Sequence, residues 1–149
     1  MDNDKIKSLR KLTQKYAYIS IQMHETIARS AGFSGTDHKY LGFFLQKGAL
    51  TAGELADLTG LTTGAVTGLI DRFEKKDLVK REFDKSDRRK VNIVPDSEKI
   101  MAIFEPFYKE FQENTENLIA SFSNDEKEII ESYFTKALEL ANETINKFK

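Results

Sequence analysis

The chain has 149 residues, 40% hydrophobic and 32% charged, enough for one domain with a core and an extension. It contains no cysteine, which excludes disulfides, thiolate metal sites and a thiol redox switch; no apolar run approaches bilayer-spanning length. Net charge is only −1, but residues 1–61 carry 8 Lys/Arg against 6 Asp/Glu, residues 62–95 carry 9 against 6, and residues 96–149 carry 6 against 12. A phosphate backbone responds to such a local basic patch more than to the total charge.

The opening MDNDKIKSLRK is polar and lacks the apolar stretch of a signal peptide, so a cytoplasmic protein is expected. Ile6, Leu9, Leu12, Tyr16, Ile19, Met23 and Ile27 recur every three or four residues, predicting a long helix over about 6–30. AGFSG breaks it. Thr36 or Asp37 is then expected to cap a second helix to about Gln46, with Tyr40, Leu41, Phe44 and Leu45 inward. Thr51 followed by Glu54 reads as a capping box for a third helix that Gly60 ends. Thr62 caps a fourth, whose Val66, Leu69, Ile70 and Phe73 face the core. Leu78 and Val79 begin a strand, 84–89 form a polar tip, and Val91, Ile93 and Val94 return as a second strand. After Pro95, Asp96 or Ser97 caps a fifth helix reaching about Phe122, with Pro106 expected to bend it. SNDE then caps a sixth running toward Lys147, its stripe being Ile130, Tyr133, Phe134, Ala137, Leu140, Ala141 and Ile145.

A short helix, a tight turn, a second helix with a small-residue outer face and a basic hairpin together make a winged helix-turn-helix. The expected fold is mainly α, with a two-stranded β-wing flanked by long dimerisation helices. Residues 1–35 and 97–149 form the helical dimerisation region and residues 36–96 the winged DNA-binding domain. The terminal helices are too long and too apolar to wrap only the winged part, so a homodimer is expected.

The segment from Leu50 to Pro95 resembles the MarR family of bacterial transcription regulators, most closely in DRFEKKDLVKR (71–81) and DKSDRRKV (84–91). The flanking helices fit the same domain order, so the resemblance covers nearly the whole chain. It implies a dimeric, sequence-specific regulator of double-stranded DNA, typically a repressor of a palindromic operator. Many members release DNA when a small aromatic or amphipathic molecule binds. One branch uses cysteine oxidation instead, and this chain departs from it in having no cysteine.

Thr62, Thr63, Gly64, Thr67 and Gly68 lie on the first turns of the expected recognition helix. Threonines are short enough to sit against bases or phosphates, and glycines let a helix backbone approach DNA. Arg72 can reach a phosphate or pair with an acid, whereas Asp71 is better suited to ordering a basic side chain or capping a scaffold contact. On the wing, the resemblance implies that Arg89 enters the minor groove, held by Asp87; a guanidinium suits a narrow, negative groove. Arg88 suits phosphate or a bridge back to the domain, and Lys80, Arg81, Lys85 and Lys90 are general phosphate candidates.

The resemblance also implies an effector pocket where the dimerising helices meet the winged domain. Its candidate walls are Tyr16, Ile19, Met23, His38, Tyr40, Phe44 and Phe104, each of which can equally be core. His24 and His38 are remote in sequence and make no metal-ligand pattern, and no cofactor is expected. GAVTG lies inside a helix rather than after a strand, so it is not a nucleotide loop, and no catalytic motif is present. The alternative to a DNA regulator is a winged-helix protein-interaction module that has lost specific DNA binding; Arg88 and Arg89 weigh against it.

Overall fold

The computed structural model describes residues 2–149. They form α1 (Asp2–Ser30), α2 (Gly35–Lys47), β1 (Leu50–Thr51), α3 (Ala52–Thr59), α4 (Thr63–Lys75), β2 (Val79–Phe83), β3 (Val91–Pro95), α5 (Ser97–Ala120) and α6 (Asn124–Lys147). The chain divides into two compact units, one ending at Phe107 and the other Tyr108–Lys149.

Local chemistry sets the helix ends of the first unit. The helix α1 begins at Asp2 rather than near Ile6, and Asp2 and Asp4 complement its N-terminal dipole. Ser34, not Thr36 or Asp37, caps α2: its hydroxyl accepts from the Asp37 backbone N–H at 3.1 Å, which draws Gly35 and Thr36 into the first turn. Before α3, the Thr51 hydroxyl accepts from Glu54 N at 3.1 Å and the Glu54 carboxylate accepts from Thr51 N at 3.2 Å. Gly60 ends α3 in the left-handed region, φ 73°, donating its N–H to Ala56 O at 2.8 Å. Two residues later the Thr62 hydroxyl accepts from Ala65 N and starts α4. Asp96 opens α5, accepting from Lys99 N at 3.1 Å.

The wing is the antiparallel pair β2–β3, in register from Val79↔Pro95 to Phe83↔Val91. The sheet has a third member beyond the two strands expected from sequence. Leu50 and Thr51 pair with Ile93 and Asn92, giving the order β1-β3-β2. Two residues are too few to show an alternating pattern, so β1 leaves no sequence signal.

The core gathers Leu41 and Phe44 from α2, Leu50, Leu55, then Val66, Leu69, Ile70 and Phe73 from α4. Leu78, Val79, Ile93, Ile100 and Phe104 close it. Leu45, expected inward, is exposed; it lies one residue past Phe44 and so points about 100° away from it around the helix. The exposed apolar residues of α1 are Ile6, Leu9, Leu12, Tyr16, Tyr18, Ile19 and Ile21.

In the second unit α5 ends at Ala120, having continued through Pro106 in the first. A reciprocal cap between Ser123 and Glu126 starts α6. No residue of α6 is buried, and Ile129, Tyr133, Phe134, Leu138, Leu140 and Ile145 are all exposed.

Candidate nucleic-acid interface

The outer face of α4 is small and bare. Thr62, Thr63, Gly64 and Thr67 are exposed and Gly68 is half-buried. The Thr67 hydroxyl donates back to Thr63 O at 3.0 Å, which leaves its oxygen free to accept. A Cβ placed on Gly64 or Gly68 would meet nothing within 4 Å. Neither glycine is therefore required by packing inside the fold, and both strip side-chain bulk from this surface.

One arginine fixes the wing to this helix. Arg81 donates to the Asp71 carboxylate and to Glu74 Oε1, each at 2.6 Å, and its backbone N–H reaches Glu74 Oε2 at 3.2 Å. These carboxylates raise the guanidinium's pKa, the Asp71 hydrogen bond most of all. Asp71 thus orders a basic side chain, as expected, while Arg81 is a brace and not a free phosphate contact. Two acids one turn apart on α4, facing a strand arginine, are its sequence signal. Arg72 takes the acidic option: it donates to Asp37 at 2.8 Å, tying α4 to the first turn of α2. Lys80 pairs with Glu82 at 2.9 Å.

At the wing tip Asp84 is the organiser. Its carboxylate accepts from Ser86 N, Ser86 Oγ, Asp87 N and Asn92 Nδ2, at 2.6 to 3.3 Å. Those donors, the Ser86 hydroxyl first, hold its pKa down to about 2. Asp87 accepts from Arg89 N at 3.0 Å and Arg89 Nε at 3.4 Å, so it restrains Arg89 as expected. The Arg89 side chain is nonetheless 93% exposed. Lys90 lies 3.9 Å from Asp84. Among the described residues Lys85 and Arg88 enter no ion pair. The acids on this side, Asp71, Glu74, Glu82, Asp84 and Asp87, are all engaged, so the projecting charge is positive.

The seven expected pocket residues differ in burial. Tyr16 and Ile19 are exposed on α1, Met23 and Tyr40 are half-buried, and Phe44 is a fully buried core ring. Tyr40 stacks beside Phe43. His38 meets the edge of Phe104 at 4.5 Å, and Phe104 packs on Phe33, over which lies the Lys76 ammonium. The two histidines are neighbours in space: His24 stacks on His38 at 5.8 Å, because α1 packs on α2. Burial first, then the nearby His24, lowers the His38 pKa. Among the described residues no group of three or more His, Asp or Glu side chains can hold a metal ion, and no helix is long and apolar enough to cross a membrane.

Residues 31–90 match the model of the MarR family. The uncharacterized HTH-type transcriptional regulator YcgE of Bacillus subtilis is 36% identical over 146 residues, covering 96% of this chain and 92% of that protein. A MarR family protein from Bacillus stearothermophilus superposes with a TM-score of 0.74 and 27% identity, over 95% of this chain and 99% of that one. MepR from S. aureus, solved as a DNA complex, has the same fold, with a TM-score of 0.57 and 23% identity over 87% of this chain and 96% of its own.

Proposed function

The chain belongs to the MarR family of helix-turn-helix transcriptional regulators, and from that premise we propose that it is a homodimeric repressor that reads a palindromic operator and is released by a small molecule. The observation that carries the DNA reading is the bare outer face of α4 beside a wing whose acids are engaged and whose Arg88 and Arg89 project. Thr62, Thr63, Gly64, Thr67 and Gly68 enter the major groove. Arg89, steadied by Asp87, reaches the neighbouring minor groove, while Lys85, Arg88 and Lys90 meet phosphates. Arg72, tethered to Asp37, orients the helix and touches DNA only at its edge. MepR, which shares the fold, has been solved with DNA.

Dimerisation is supported by the exposed stripes of α1 and α6, which leave large apolar side chains without cover in one chain. Residues 1–35 and 97–149 supply that interface, and 36–96 the reading domain. Two copies place their recognition helices about one DNA turn, roughly 34–36 Å, apart. The effector is an aromatic or amphipathic molecule held near Tyr16, Ile19, Met23, His38, Tyr40 and Phe104, with Phe44 behind them as core. It acts by preferring a spacing of the two wings that does not fit DNA. Such a regulator works in the cytoplasm.

The test is footprinting on the DNA upstream of the chain's own gene, with and without a panel of small aromatic compounds and with peroxide as a control. Two protected half-sites one turn apart, lost with a ligand and unaffected by peroxide, are expected. An unprotected upstream region, with no salt-dependent binding to any duplex, would sink the proposal.

A further inference from the structure

Phe83 is the odd residue of the wing: a large apolar ring, 75% exposed, in the middle of a basic hairpin. Its direction follows from the strand. Side chains alternate between faces, so Val79, Arg81 and Phe83 share one face of β2 while Lys80 and Glu82 share the other. Arg81 on that face is bonded to Asp71 and Glu74 of α4. The chain leaves α4 through a tight turn, Leu78 N donating to Phe73 O, and β2 runs back along the helix. Phe83 follows Arg81 by two residues on the strand face from which Arg81 reaches α4, toward the wing tip. On α4 itself Gly64 and Gly68 carry no side chain and have open space above them.

The surroundings identify what meets that ring. Glu82 is on the far face and paired with Lys80, and the Asp84 carboxylate is turned to Ser86, Asp87 and Asn92. The two acids that flank Phe83 in sequence are thus both engaged, while Lys85, Arg88 and Arg89 follow on the same hairpin. An apolar surface ringed by cations suits one component of DNA above others: the deoxyribose edge, which is apolar and carries phosphates on either side.

We infer, on the footing of the DNA-binding role proposed above, that Phe83 is a further DNA contact, packing on the sugars of the backbone strand that separates the major groove read by α4 from the minor groove entered by the wing. The contact is apolar and independent of sequence. It adds affinity without releasing counterions, unlike the lysines and arginines around it.

Binding is measured by fluorescence anisotropy across a salt series, on a duplex selected from random sequence by the wild-type protein and on an unselected duplex. Phe83→Thr keeps the strand preference of an edge residue but removes the ring; Phe83→Leu keeps apolar bulk. Phe83→Thr is expected to weaken both duplexes by about tenfold with the slope against log salt unchanged, and Phe83→Leu to stay within about threefold of wild type. Thermal unfolding of both variants tracks the fold, and the tenfold loss must appear at temperatures where each is folded. Wild-type affinity in Phe83→Thr overturns the contact alone. A loss confined to the selected duplex overturns the sugar assignment in favour of a base methyl. Wild-type protein that binds no duplex overturns the DNA-binding role itself, and this contact with it.

Discussion

The wing tip depends on single side chains. Asp84 gathers four hydrogen bonds, and they stabilise its charged form, so its pKa lies near 2 in the fold against 3.8 ordinarily. A depressed carboxylate contributes order to the tip that is fully present above its ordinary value and is lost as pH falls through the lower one. The Ser86 amide resonance should therefore titrate with a midpoint near 2, where a free aspartate would give about 4. A midpoint at the free value would show that the tip is not held by this carboxylate. Arg89 and Lys85 test a different property. The Arg89 fork is steered by Asp87, whereas Lys85 is a point charge on a flexible stem. Arg89→Ala should weaken binding to a selected duplex by roughly tenfold more than Lys85→Ala, because it loses groove shape as well as charge. Equal losses on selected and random DNA would reduce Arg89 to a phosphate contact.

Among the elements, α4 carries the clearest compromise between stability and use. Gly68 sits inside the helix with open space above it. Gly68→Ala should raise unfolding stability by about 1 kcal/mol, the ordinary helix gain, while lowering DNA affinity because a methyl group now holds the backbone off. Denaturant melts and anisotropy on the same protein check both halves; unchanged affinity would make the glycine incidental. Helices of this kind were legible because their caps are chemically explicit: Thr51 with Glu54, Gly60, Thr62, and Ser123 with Glu126 all act as their spacing implies. The small, exposed outer face of α4 and the Asp87–Arg89 pairing were legible for the same reason, since residues two to four apart are placed by local geometry. What sequence hid were partners brought together from afar. The strand β1 is too short to have a period. The Arg72–Asp37 bridge spans 35 residues, and the stacking of His24 on His38 depends on how α1 meets α2. The depth of the expected pocket residues was also hidden, because periodicity says which side chains share a face and not how deep each one lies, as buried Phe44 and exposed Tyr16 illustrate.

For the whole molecule the exposed apolar side chains of α1 and α6 make the most direct prediction. Sedimentation at micromolar concentration should give twice the chain mass of 17.1 kDa, and a persistent monomer would leave the two-half-site model without a basis. Replacing Tyr133 and Leu140, two turns apart on one face of α6 and both exposed, by glutamate should shift that mass toward one chain, since burying carboxylates in an apolar interface is costly. The two ion pairs from Arg81 to Asp71 and Glu74 bear on the reading of DNA in another way. They hold the hairpin to the helix, so the reading domain proposed above has the character of a gauge. On that proposal a duplex is accepted or refused by the spacing of its two adjacent grooves, and local twist and groove narrowing become part of the recognised sequence even at base pairs no side chain touches.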